Sequence, residues 1–148
     1  PPEFLERLLR GSRIVFANEG ERKYIEGQFG LTSIEDLFAY EPSIIITTCG
    51  KNGSSYAAKM SDGSVDRGQI GCCPVRELLD TTGGGDAYIS GFLYGYLRGY
   101  ELLDCCCLGA TLSAFVLERE GCCTGVPTES ALLERFEAFR ASIVFDGA

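Results

Sequence analysis

The run "SIIITT" at 43–48 carries no charge and is β-branched in all but its first position. A strand apolar on both faces cannot lie on a solvated surface. It must be covered on both sides, the pattern of a buried parallel strand. A second compact apolar run, "RIVFA" at 13–17, comes before it, and helical segments stand around both. "EFLERLLR" at 3–10 reads as a short helix entered through Pro1-Pro2 and closed by Gly11. "NEGERKYI" reads as a turn opening a helix, and "TSIEDLFAY" as a helix begun by a Thr or Ser cap, with Glu35 and Asp36 at its positive end. Helices alternating with such strands predict a layered α/β sheet.

Beyond residue 53 the rhythm changes. "GSSYAAKM", "SDG" and "SVDRGQIG" read as a hairpin with Asp62-Gly63 at its turn. Residues 85–98 then form a helix in which Ala87, Gly91 and Gly95 allow close packing, and "RGY" breaks it. A longer, mostly apolar helix covers 101–119. After the loop "GCCTGVPTES", Thr128 or Ser130 starts a last helix to about Arg140. With 148 residues, 45% hydrophobic and 23% charged, the chain has the composition of a soluble globular protein. No repeat or low-complexity linker divides it, so residues 1–148 are expected to form a single domain. The opening Pro1-Pro2, without a methionine, points to processing or to a piece of something longer.

A net charge of −8 leaves no basic footprint for nucleic acid. The uncharged stretch from Cys105 to Leu117 is too short to span a bilayer, and no targeting segment is visible, so the expected compartment is the cytoplasm. There is no histidine. No Ser-His-Asp or Cys-His pair can be built, and a proton acceptor must be Asp, Glu, Lys, Tyr or a thiolate. The eight cysteines, at Cys49, Cys72-Cys73, Cys105-Cys106-Cys107 and Cys122-Cys123, lack the C-x-x-C spacing of zinc sites. They read as reduced packing residues, with a redox or metal role as the alternative.

"LLDTTGGGDAYISGFLYG" at 78–95 carries the chemistry. Three glycines ending where a helix begins leave several N–H groups without intrahelical partners, and those donors together with the helix dipole form an anion site. Asp86 falls among the first helical residues. A carboxylate there can take a hydroxyl proton while the amides hold charge developing on a transferred phosphoryl. A side chain at Gly85 would crowd such a phosphate, and would oppose a positive φ if the residue needs one. The bland alternative is a flexible turn with Asp86 as helix cap. The stretch is neither a Walker loop nor a G-x-G-x-x-G dinucleotide loop.

"DTTGGGDAYISGF" closely resembles the C-terminal signature of the ribokinase-like (PfkB) carbohydrate kinases, D-T-[TV]-G-[AS]-G-D followed by a helix. "NEGE" at 18–21 resembles the family's N-x-x-E element, and "TCGKNG" at 48–53 its T-L-G-x-x-G nucleotide loop. The three elements agree in order and approximate spacing. The resemblance covers essentially the whole chain and implies the ribokinase-like α/β/α fold in its C-terminal, nucleotide-binding portion.

The activity that the resemblance implies is transfer of the terminal phosphoryl of ATP to a hydroxyl of a sugar or nucleoside. It makes Asp86 the base and Gly83, Gly84, Gly85 and Asp86 the anion hole. Asn18 and Glu21 organise the phosphates and, through water, Mg2+. Thr48, Gly50 and Gly53 line the nucleotide, and Ala110 falls where the family's namesake has an asparagine beside the base, which leaves adenine preference open. Asp80 and the Thr82 carbonyl fall where some members bind a monovalent cation such as K+, with main-chain oxygens near Val116, Arg119, Gly121 and Gly125.

Each assignment has a plainer rival: a capping box for Asn18 and Glu21, a turn for Gly50 and Gly53, a solvated loop for Asp80. Gly84 replaces the usual Ala or Ser and Cys49 the usual Leu, and "CCTG" departs from the cation loop. Family members are much longer, and the part absent here carries most sugar contacts; "GFLYGYLRG" leans toward adenosine-kinase-like or ribokinase-like members. A sheet edge left uncovered invites self-association, with a homodimer as its simplest form. The alternative functions are a non-catalytic nucleotide-binding module and a cysteine-rich redox or metal protein.

Overall fold

The computed structural model describes residues 2–143. Their contacts gather them into two compact units that divide between Gln69 and Ile70. The first unit begins with α1 (Pro2–Arg10), β1 (Ile14–Asn18) and α2 (Glu19–Phe29). A 3-10 segment (Ile34–Ala39), β2 (Ile44–Thr48), a short 3-10 turn (Gly50–Asn52), β3 (Ser54–Lys59) and β4 (Val65–Ile70) follow.

The strands form one sheet in the order β1-β2-β3-β4. β2, the uncharged run, is buried along Ile44, Ile45, Ile46 and Thr47. It runs parallel to β1 and antiparallel to β3, so it is a buried strand of a mixed sheet, not of a parallel one. The cause is connection length. The chain returns from β2 to β3 through a tight turn, which joins only antiparallel neighbours, whereas β1 reaches β2 over α2 and the 3-10 segment.

Register places Val15, Ile45 and Ala57 in one row across β1, β2 and β3. That row meets Leu9 of α1, Ile25 of α2, and Ile34, Leu37 and Phe38 in one apolar cluster. The expected helix at "TSIEDLFAY" is a 3-10 helix, in which Ile34 and Leu37 eclipse at three residues per turn and both bury. Ser33 is its cap, and Asp36 accepts the Ser33 N–H at 3.1 Å. The hairpin turn falls at the expected Asp62-Gly63, closed by Met60 N–H donating to Ser64 O at 2.8 Å.

The second unit holds α3 (Gly84–Leu97), α4 (Leu102–Leu117) and α5 (Glu129–Ser142). α3 and α4 touch backbone to backbone. A Cβ at Gly91 would lie 2.5 Å from Leu108 O, and one at Gly109 would lie 2.8 Å from Tyr88 O. Ala87, Gly91 and Gly95 are all buried, which matches the close packing expected of them. Cys105, Cys106 and Cys107 are buried on α4, and burial pushes their thiols up to about 11, about 12 and about 12. They pack as small hydrophobes and stay protonated at neutral pH. Thr128, not Ser130, caps α5, its hydroxyl accepting from Ala131 N–H at 3.2 Å. Among the described residues no helix is long and apolar enough to cross a membrane.

An ion pair ties α5 to the end of α4 and to the segment leading into the glycines. Arg135 donates both guanidinium arms to Glu118, at 2.6 and 3.1 Å, and bonds Pro74 O at 2.7 Å. Glu118 also accepts the Arg76 N–H at 2.7 Å. The Arg135 hydrogen bond holds the Glu118 carboxyl below its usual value of 4.5, against the opposing effect of burial. The pair's contribution is therefore complete above that value and is lost as pH falls through the depressed one. Glu118→Gln is expected to lower unfolding free energy at pH 7 by about 1–3 kcal/mol, the range for a charged hydrogen bond left half-made. It should also flatten the acid limb of stability against pH. Urea unfolding at neutral and acid pH measures both, and an unchanged acid limb would remove Glu118 from the account.

Candidate active site

In the first unit the parallel register sets Asn18 beside Thr48, each at the carboxyl end of its strand. Crevices outside the carboxyl ends of parallel strands are where α/β sheets hold ligands, because helix N-termini and turning backbone collect there. The "NEGE" and "TCGKNG" elements, thirty residues apart in the chain, thus become neighbours at one sheet end.

Asn18 caps α2 in a reciprocal box: its Oδ1 accepts Glu21 N–H at 2.9 Å, and Glu21 Oε2 accepts Asn18 N–H at 2.9 Å. The plainer reading of this pair therefore describes its geometry, and Glu21 Oε2 is engaged by the cap. Glu21 keeps its other carboxylate oxygen and an exposed position. In the next turn Gly50 and Gly53 both take positive φ, +52° and +87°, and Cys49 N–H donates to Gly53 O at 2.8 Å. The Cys49 thiol is raised by burial first and by the charge of Glu19 second, so the turn lies close to the start of α2.

Sequence reasoning passed over Arg22. Its Nε is buried without a hydrogen-bond partner, its guanidinium stands 3.6 Å from Glu26, and its charge acts on Cys49. The available signal was a cation one residue after the N-x-x-E element in a strongly acidic chain.

In the second unit Gly83 is the left-handed residue of the glycine run, at φ +81°. The left-handed residue is Gly83 and not Gly85, because the turn into the helix is made one step before α3 begins. A Cβ at Gly83 would also stand 2.6 Å from the Cys122 Cβ. Gly83→Ala is accordingly expected to cost about 1–3 kcal/mol, the range for strain at a sparsely populated backbone angle. Chemical denaturation measures the loss, and a variant as stable as the parent would deny the turn its role.

Gly84 N–H bends back to Thr81 O at 3.4 Å, and Ala87 N–H makes the first α-type bond, to Gly83 O at 2.9 Å. The amides of Gly85 and Asp86 lie ahead of that bond. Gly84 is buried, and a Cβ there would sit 3.1 Å from Leu117 Cδ2, whereas one at Gly85 would meet nothing within 4 Å. Asp86 is exposed in the first turn. Two donors, open space and a carboxylate therefore meet at the N-terminus of a fourteen-residue helix.

Asp80 holds the approach to this turn. Its Oδ1 accepts Thr82 N–H at 2.9 Å and its Oδ2 accepts Gly121 N–H at 3.0 Å. The Thr82 bond chiefly, with that of Gly121, holds the Asp80 carboxyl below its usual range. Ala110 is half-buried within α4. The structure thus brings Asn18, Glu21, Thr48, Gly50 and Gly53 together in one unit, and Asp80, Thr82 and Gly83 to Asp86 in the other.

Residues 2–129 match the family described as pfkB family carbohydrate kinase. Over 139 residues the chain is 33% identical to a nucleoside kinase of Methanocaldococcus jannaschii, covering 93% of this chain and 43% of that protein. The crystal structure of the nucleoside kinase from that organism, described as an archaeal member of the ribokinase family, superposes with a TM-score of 0.83 at 31% identity, over 93% of this chain and 44% of the other. A nucleoside kinase of Burkholderia thailandensis in complex with ADP-inosine superposes with a TM-score of 0.84 at 25% identity, over 95% of this chain and 42% of the other. The chain spans less than half the length of these relatives, and its fold is the C-terminal portion of the layered ribokinase-like α/β architecture. The sequence, the fold and these likenesses agree: the chain belongs to the pfkB family of carbohydrate kinases.

Proposed function

We propose that this chain is the nucleotide-binding and base-carrying part of an ATP-dependent kinase acting on a hydroxyl of a sugar or nucleoside. The observation that carries the reading is the turn at Gly83–Asp86: two amides ahead of the first helical bond, open space over Gly85, and a carboxylate beside them. The open space over Gly85 is what such a donor set needs to receive a phosphate. ATP supplies the phosphoryl group, and Mg2+ the charge that shields it.

The chain's own residues do the rest. The Gly85 and Asp86 amides hold negative charge that grows on the phosphoryl oxygens, and Gly83 sets their direction. Asp86 takes the proton of the attacking hydroxyl, raising its nucleophilicity as the bond forms. Thr48, Gly50 and Gly53 shape the nucleotide turn. Glu21 is suited to Mg2+ through water, since one of its carboxylate oxygens already serves the helix cap. Each Asp80 oxygen accepts one backbone N–H, which leaves a lone pair on each for a cation such as K+. The Asp80 contribution is to pin the approach to the glycine turn.

Gly85→Val tests the reading. A Cβ at this position meets nothing within 4 Å, and no positive φ opposes it, so the fold should persist. The added methyls occupy the space assigned to phosphate, and ATP affinity should fall roughly tenfold or more, the equivalent of losing about 1–2 kcal/mol of amide–anion interaction. Unchanged ATP titration on a folded variant would return the glycines to the status of a plain turn.

A further inference from the structure

Eight free cysteines lie outside the glycine turn. The three on α4 are buried and inert. Cys72 and Cys73 are adjacent but face different surroundings, the first exposed and the second 5% exposed with its thiol directed at Pro74 O. Cys122 and Cys123 differ from both groups. Both are exposed, and their sulfurs stand 3.6 Å apart on the same side of the loop after α4.

Among the described residues no group of three or more His, Cys, Asp or Glu is placed to hold a metal ion. The pair therefore offers two soft donors and no more, too few for the four-ligand sites that zinc prefers. Two thiols suffice for an arsenic(III) centre that brings its own third substituent, and soft sulfur is the donor that such a centre selects.

The pair is also mechanically placed. Cys122 Cβ lies 2.6 Å from where a Cβ on Gly83 would stand, so this loop packs directly on the left-handed residue of the glycine turn. One residue earlier, the Gly121 N–H is held by Asp80, which also holds Thr82. Whatever reorganises Cys122 and Cys123 therefore acts on both anchors of the turn.

We infer that Cys122 and Cys123 form a bidentate site for a trivalent organoarsenical, and that its occupation reshapes the Asp80–Asp86 turn. In the capture step R–As=O and two thiols give R–As(S–Cys)2 and water. Two As–S bonds form, two S–H bonds and the As=O bond break, both protons leave on the departing oxygen, and arsenic stays trivalent. No oxidant or reductant is required.

Phenylarsine oxide is the probe, used with a monothiol present so that only chelating pairs hold it. The expected result is one adduct per chain by intact mass, removed by a competing dithiol. It should be absent in Cys122→Ser and Cys123→Ser and kept in Cys72→Ser. In the parent protein the adduct should block alkylation of Cys122 and Cys123, a measurement that stands even if a serine variant misfolds. Hydrogen exchange at the 80–86 amides should shift severalfold on capture. An adduct that survives both serine substitutions, or leaves Cys122 and Cys123 open to alkylation, overturns the site. Unchanged exchange at 80–86 overturns its action on the turn. Neither readout depends on kinase activity, so both can fail while the kinase reading stands.

Discussion

Asp86→Asn in the protein that carries this chain is expected to lower kcat by about 10²–10⁴-fold, the range for removal of a general base. ATP affinity should stay near that of the parent. The separation follows from geometry. Nucleotide contact is assigned to the Gly85 and Asp86 amides, which the substitution leaves in place, while the carboxylate is the only part replaced by a group that cannot accept a proton at neutral pH. The side chain is exposed, so its replacement disturbs no core. An Asn in the first turn also keeps a short polar side chain compatible with a helix start. Steady-state kinetics and ATP titration on the same preparation give the two numbers. Turnover within a few-fold of the parent would take the role of base away from Asp86, and a parallel loss of ATP affinity would make the carboxylate a binding group.

The parts of the fold that the sequence disclosed are those governed by local rules. The uncharged β2 run, the Asp62-Gly63 turn, the Thr or Ser caps and the small residues of α3 each carry a local physical signature, and each appears where its signature lies. The orientation of β3 did not follow from the burial pattern of β2, because a strand covered on both faces looks the same whether its neighbours run parallel or antiparallel. Only the shortness of the Cys49–Gly53 turn decides it. "TSIEDLFAY" shows a related limit. The spacing of Ile34, Leu37 and Phe38 suits an α-helix and a 3-10 helix alike, and the segment is too short for its period to separate them.

The candidate site was legible as three separate motifs and illegible as geometry. Nothing local to "NEGE" or "TCGKNG" says that Asn18 and Thr48 are register partners; that follows from the pairing of β1 with β2. Which glycine turns left-handed was also hidden, since all three residues of the run can do so and the helix start chooses. Asp80 shows the same limit from another side. Its partner Gly121 lies forty-one residues away, so its use as a pin for the loop could not be read from its neighbours.

Expressed alone, the 148-residue chain is expected to phosphorylate no sugar or nucleoside and to self-associate. It covers 43% of the M. jannaschii nucleoside kinase and carries the nucleotide turn, the amides and the base of the proposed site. In-line transfer also requires the acceptor hydroxyl to be held against the phosphoryl group. Losing that positioning can forfeit on the order of 7–11 kcal/mol, enough by itself to bring turnover below detection. The association follows from the sheet. Among the described residues β1 stands at the sheet's edge, pairing with β2 on one side, and an edge strand is a template for another chain. ATP binding should be weak but present, because the contacts assigned to it lie on this chain. A panel of pentoses, hexoses and nucleosides in a phosphoryl-transfer assay, with light scattering and ATP titration on the same sample, measures all three. Robust turnover by a monodisperse monomer would establish that these residues position an acceptor unaided, and the search for the sugar or nucleoside contacts would then move onto this chain.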